Sequence, residues 1–135
     1  MKNLSLIAVL TLVAMPALAE GDAAKGAVDF RKCMACHSIV GPDGTVVQKG
    51  GKIGPNLFGV IGRAVGSFAD FKYGESMLAV GAKGVVWDEE MLATYVTDPA
   101  AWLKEQTGDA AAKAKMSFKL ASGGADVAAY LASIK

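Results

Sequence analysis

Cys33-Met34-Ala35-Cys36-His37 is the stretch on which the reading of this chain turns, because it holds both cysteines and the one histidine among 135 residues. A redox-active cysteine pair of the thioredoxin kind needs a preceding strand and a βαβ setting. The residues before Cys33 carry a helical pattern instead. A closed zinc site needs four ligands, commonly two Cys pairs or a Cys pair with a His pair, and two Cys with one His fall short. A disulfide between Cys33 and Cys36 would suit an oxidising compartment but would close a very small loop. The reading that uses all three residues is covalent haem attachment. Both sulfurs add across the vinyl groups of one porphyrin edge, and the next residue, His37, is delivered to the iron.

Upstream, Lys2 precedes an apolar run from Leu4 to Met15, then Pro16 and Ala17-Leu18-Ala19. A basic start, an apolar centre and small residues at the end describe a secretory leader. Pro16 breaks the run well short of the about 20 residues that span a bilayer. The division expected is residues 1–19 as a cleaved signal peptide and 20–135 as a single domain, exported to the periplasm of a bacterial host. Without the leader the apolar fraction drops from 53% to about 49%, an ordinary globular value, and the charges balance. That balance argues against a nucleic-acid binder, and the apolar content argues against a disordered chain.

Downstream and around the pentapeptide, helix signals dominate. Asp22 is a fitting N-cap for a helix over Ala23 to Arg31 with Ala27 and Phe30 on one side. Gly26 sits inside that helix, where glycine costs about 1 kcal/mol against alanine, a cost that close approach of another helix would justify. From Gly41 to Gly66 the density of glycine, with Pro42 and Pro55, predicts loop, long enough to wrap a ligand. Phe68 to Val80 is expected to hold a short helix. Asp88, followed by Glu89 and Glu90, starts another. Asp98-Pro99 starts a third, ending near Gly108. Lys113 to Leu120 has no regular pattern. Ala125 to Ile134 places Val127, Leu131 and Ile134 at helical spacing and is the natural partner for Gly26. The class expected is all-α, about five helices with long loops.

A low-spin haem needs a second axial ligand, and with no second histidine a methionine is the candidate. Met34 lies between the two cysteines and cannot cross the ring. Met77 and Met91 lie in expected helices, where methionine is more often core. Met116, in the irregular segment Lys113-Ala114-Lys115-Met116-Ser117-Phe118, is best placed on residue chemistry, with Met77 and Met91 still open.

Taken in order, Cys33-Met34-Ala35-Cys36-His37, Gly54-Pro55-Asn56-Leu57, Gly62-Arg63, Trp87, Tyr95, Pro99 and Lys115-Met116-Ser117-Phe118 resemble the class I c-type cytochromes, most closely the cytochrome c2 subfamily, over Glu20 to Lys135. The resemblance implies that fold around one covalent haem c, with His37 and Met116 as axial ligands. It implies that the Pro55 carbonyl accepts from the His37 ring. Tyr73 and Trp87 would reach a haem propionate, Arg63 would place a positive charge nearby, and Tyr95 would hydrogen-bond toward Met116. The loops at 41–52 and 105–115 are longer than in the shortest members.

Imidazole and thioether together raise the potential relative to two nitrogen ligands and leave no open coordination position. The function expected is that of a non-enzymatic one-electron carrier, monomeric, in photosynthesis or respiration. The resemblance implies a cytochrome bc complex as donor and a photosynthetic reaction centre or terminal oxidase as acceptor. Lys32, Lys113, Lys115 and Lys119, with Lys49 and Lys52, are expected to steer docking to acidic partners, with Asp88, Glu89 and Glu90 elsewhere. The competing readings are an electron-transfer subunit held by a periplasmic dehydrogenase and, less well supported, a haem peroxidase or gas-binding protein, which needs an open sixth position.

Overall fold

The structure is a computed structural model and describes residues 21–135. The leader expected at residues 1–19 lies outside the described residues. Helix α1, Ala23–Asp29, starts where Asp22 accepts from the amides of Ala24 and Lys25, and runs on as a 3-10 turn, Phe30–Lys32, which delivers Cys33. Strands β1, Ile39–Val40, and β2, Val46–Gln48, pair antiparallel. Helices α2, Glu75–Ala82, α3, Glu89–Thr97, α4, Pro99–Thr107, and α5, Gly124–Ala132, complete the chain.

The three expected capping signals, Asp22, Asp88 and Asp98, act as read. Asp88 Oδ1 accepts from Met91 N at 2.7 Å and Asp98 Oδ1 from Ala101 N at 3.0 Å. Pro99 opens α4, and Gly108 ends it in the left-handed conformation. One helix is narrower than expected: the short helix expected within Phe68 to Val80 begins only at Glu75, where Gly74 stands at the N-cap with no side chain to offer. The hairpin β1–β2 is also an addition to the all-helical reading. β1 lies just before the glycine-rich stretch and β2 inside it, and Val46 and Val47 are both exposed, so no alternation betrayed the pair.

The tightest crossing joins α1 and α5. A Cβ on Gly26 would run into the backbone carbonyl of Asp126, so only glycine lets the two backbones approach this closely. Beside the crossing, Phe30 is fully buried and meets Tyr130 with ring centroids 5.6 Å apart. Val127, Ala128 and Leu131 turn the apolar face of α5 inward. α5 also packs on α3, and α3 on α4. The result is a shell of helices and loops round a large internal cavity.

Candidate functional site

The cavity measures about 380 Å³ and is lined mainly by apolar groups. Cys33, Cys36, His37, Pro55, Arg63, Tyr73, Trp87, Tyr95 and Met116 all line it, although they come from seven separate segments of the chain. On one side the 3-10 turn hands over to the pentapeptide through bonds from Cys33 N to Phe30 O at 2.8 Å and from His37 N to Cys33 O at 2.9 Å. Both thiols are free and half-buried. Burial pushes the Cys33 thiol up from its ordinary value, with Lys32 opposing.

His37 Nδ1 donates to the Pro55 carbonyl at 2.8 Å, which leaves Nε2 with a free lone pair. Burial holds the imidazole pKa down, against the pull of that hydrogen bond, and so favours the neutral ring that can donate to a metal. Gly54 contributes a constraint that sequence reading passed over. A Cβ there would meet the His37 ring, so the bare backbone of Gly54 lies against the imidazole face. Gly51 N and Gly54 N bond to the carbonyls of Met34 and Cys36 at 2.9 and 2.8 Å, fastening the glycine-rich segment over the pentapeptide. Asn56 anchors the same segment to β1 by accepting from Val40 N at 3.0 Å and donating to Val40 O at 2.7 Å.

Across the cavity, Met116 is half-buried in the irregular segment where it was expected. Three bonds made by its neighbours fix its position. Lys113 N donates to Ser76 Oγ at 3.0 Å, Lys115 Nζ to the Lys72 carbonyl at 2.6 Å, and Leu120 N to Val96 O at 2.8 Å. None of these partners has a sequence signature, since each depends on residues more than twenty positions away. Met77 also lines the cavity, from α2, while Met91 does not.

The polar wall is built from two strands of loop running together. Trp87 N donates to Arg63 O at 2.9 Å and Gly62 N to Trp87 O at 2.8 Å, so Arg63 and Trp87 enter the cavity side by side. The Arg63 guanidinium donates to the Asn56 carbonyl through both terminal nitrogens at 3.1 Å and lies 5.1 Å from the Phe68 ring centroid. Its Nε is buried with no protein partner. Burial lowers the Arg63 pKa and raises that of Tyr73, and each of the two opposes the shift of the other. The Tyr95 pKa is pushed up to about 12, chiefly by burial. Among the described residues, the Tyr95 hydroxyl has no hydrogen-bond partner on Met116.

The lysines divide. Lys32, Lys113 and Lys115 lie at the cavity, with Lys32 also paired to Asp29 at 2.8 Å. Lys119 does not line it; its ammonium pairs with Asp98 at 2.7 Å. Ile53 and Phe118, 76% and 43% exposed, put apolar surface at the same rim.

This donor set fits a haem. Two free thiols are spaced to take two vinyl groups, a neutral imidazole and a thioether share one apolar cavity, and an unpartnered Arg63 Nε is available to an anionic side chain. Among the described residues no cluster of three or more His, Cys, Asp or Glu is placed to hold a bare metal ion.

Comparison with known proteins gives the same answer. The chain is 59% identical over 128 residues to cytochrome c2 of Rhodobacter capsulatus, across 95% of this chain and 92% of that protein. This chain belongs to the cytochrome c2 family of class I c-type cytochromes. It is 57% identical over 129 residues to cytochrome c-550 of Paracoccus versutus, across 93% of this chain and 83% of that protein. The solved structure of Rhodobacter capsulatus cytochrome c2 superposes with a TM-score of 0.83 at 60% identity, over 84% of this chain and 97% of that one. No family model matches the sequence. The fold is therefore the class I cytochrome c fold, the cofactor is one covalently attached haem c, and the cytochrome is an electron carrier.

Proposed function

We propose that Cys33 and Cys36 hold the haem, that His37 Nε2 and the Met116 sulfur are its two axial ligands, and that the cytochrome is an exported, non-enzymatic shuttle between membrane-bound electron-transfer complexes. The observation that carries this reading is the meeting of all nine expected side chains in one apolar cavity. The bound group supplies a one-electron iron couple. The protein does the rest by holding and shielding. Pro55 orients the imidazole and strengthens it as a donor through the Nδ1 hydrogen bond. Gly54 supports the ring face, and the pinned segment 113–120 presents Met116. With both axial positions taken by side chains, no position is left for peroxide or a gas, which supports a carrier over a peroxidase or gas-binding protein. Arg63, Tyr73 and Trp87 are assigned to the polar edge of the haem, with the Arg63 Nε as the free donor, and Tyr95 to the Met116 side.

Residues 1–19 are assigned as the cleaved leader, 20–135 as the mature domain, and the periplasm as its site of action. The donor is a cytochrome bc complex and the acceptor a photosynthetic reaction centre or a terminal oxidase. Docking uses the apolar rim at Ile53 and Phe118 with Lys32, Lys113 and Lys115 round it. Lys32 and Lys119 contribute less than Lys113 and Lys115, because Asp29 and Asp98 offset their charges. Association with an acidic partner should slow as salt rises, and more weakly once Lys113 and Lys115 are made neutral.

The deciding experiment is the absorption spectrum of the purified ferric protein. A weak red charge-transfer band from sulfur to iron should be present and should vanish in Met116→Ala. Ready uptake of carbon monoxide by the native reduced protein at neutral pH would show an open coordination position and overturn the assignment.

A further inference from the structure

Trp102 lies on α4, outside the cavity lining, yet it is only 3% exposed and touches two of the aromatic residues that do line it, Trp87 and Tyr95. Its indole stacks on Trp87 with centroids 5.0 Å apart and planes at 23°. It meets Tyr95 edge to face at 5.4 Å and 80°. Trp87 and Tyr95 themselves lie 5.2 Å apart at 57°. The three rings are therefore in mutual pairwise contact. Trp87 comes from the loop before α3, Tyr95 from α3 and Trp102 from α4, so the triangle also joins three elements around the polar side of the site.

We propose that Trp102 is a positioning residue, which acts from outside the cavity to set the planes of Trp87 and Tyr95 and so the direction in which their polar hydrogens face the haem. The proposal rests on the haem reading given above. An aromatic ring is suited to this role because stacked and edge-to-face contacts have preferred geometries, whereas an aliphatic side chain fills the same space without orienting its neighbours. α4 is held in turn by the Asp98 cap and by Pro99 at its first position. Trp102 thus transmits the placement of a rigid helix to two groups that belong to other elements.

The test uses the intact holoprotein with three variants: Trp102→Leu, Trp102→Phe, and Val80→Ala as a control for core loss. Val80 is fully buried but does not line the cavity. Two quantities are read, the first in the reduced protein and the second across the ferric–ferrous couple. One is the exchange rate of the Trp87 indole N–H, taken relative to the slowest backbone amides so that global stability divides out. The other is the reduction potential. In Trp102→Leu the relative indole exchange should rise about tenfold, the loss of roughly one stacked pair, and the potential should move. In Trp102→Phe both should stay near the parent values, and Val80→Ala should lower stability without changing either. If Trp102→Leu behaves as Val80→Ala does, or if Leu and Phe are equally disruptive, Trp102 is packing alone and the proposal fails. Should Trp102→Leu not retain haem, Trp102→Phe decides: relative indole exchange faster than in Val80→Ala overturns the idea. Absence of the sulfur-to-iron band in the parent protein would instead overturn the ligand assignment.

Discussion

Replacing Gly26 by alanine adds one methyl group, and its consequence can be worked from the crossing of α1 and α5. In an open helix the change gains about 1 kcal/mol. Here the new Cβ falls on the Asp126 carbonyl, at a separation that real Cβ contacts do not show, and the atom that would have to give is backbone. The helices must part by roughly 1 Å. A gap of that size forfeits a quarter to a half of the dispersion attraction between the facing atoms. Those atoms belong largely to Phe30, Val127 and Leu131, all within 2% of full burial. Each such side chain is worth about 2 kcal/mol when buried, so the loss exceeds the helical gain by about 0.5 to 2 kcal/mol. For about 115 ordered residues that lowers Tm by roughly 2 to 8 °C. Thermal unfolding of the reduced holoprotein, followed by far-ultraviolet circular dichroism, reads the effect directly. A Tm at or above that of the parent protein would refute the claim that backbone contact at Gly26 limits the approach of α1 to α5.

Three other outcomes are expected. Asp88→Ala removes the side chain that accepts from Met91 N and should cost about 1 kcal/mol, measured by denaturant titration; no change in midpoint would exclude the cap. Lys119 holds the Asp98 carboxyl below its ordinary value, with the Ala101 amide assisting. A depressed folded-state pKa gives stability that is present above the unfolded value and lost as pH falls through the folded one. Lys119→Met should therefore be less stable than the parent at about pH 6, and the gap should close toward about pH 2; a gap independent of pH would contradict this. Finally, haem surface on the order of 500 Å² buried in the cavity is worth about 12 kcal/mol of gross transfer energy. The apoprotein should be largely unfolded, and native helicity in its circular dichroism spectrum would count against the cavity as the centre of the core.

Helices were legible where a side chain performs a local task. Asp22, Asp88 and Asp98 each accept amide hydrogens two or three residues ahead, so sequence spacing alone located α1, α3 and α4. α2 has glycine at its cap and its start was misplaced by several residues. The hairpin was missed because pairing between Ile39 and Gln48 is a nonlocal event without alternation to announce it. At the site, residue chemistry led to Cys33, Cys36 and His37, and placed Met116 first among the methionines. Pro55, Arg63, Tyr73, Trp87 and Tyr95 came from the resemblance. Gly54 against the imidazole, Ser76 under Lys113 and Trp102 behind Trp87 were not legible, because each acts through a neighbour far off in sequence. The pairing of Lys119 with Asp98, 21 positions apart, belongs to the same class.

The tip of the β1–β2 hairpin has a practical consequence. Residues 42–45 are exposed, and the turn is closed locally by Gly41 N donating to Thr45 O and Thr45 N donating to Asp43 Oδ1. Below the tip, Asn56 grips Val40, and Gln48 reaches the Tyr130 hydroxyl at 3.2 Å. Extra residues spliced in at the tip would meet only a slowly growing closure entropy, about 0.6 kcal/mol for each doubling of length. That makes it a suitable attachment point for wiring this cytochrome to an electrode or fusing it to another protein while the iron's surroundings stay as they are.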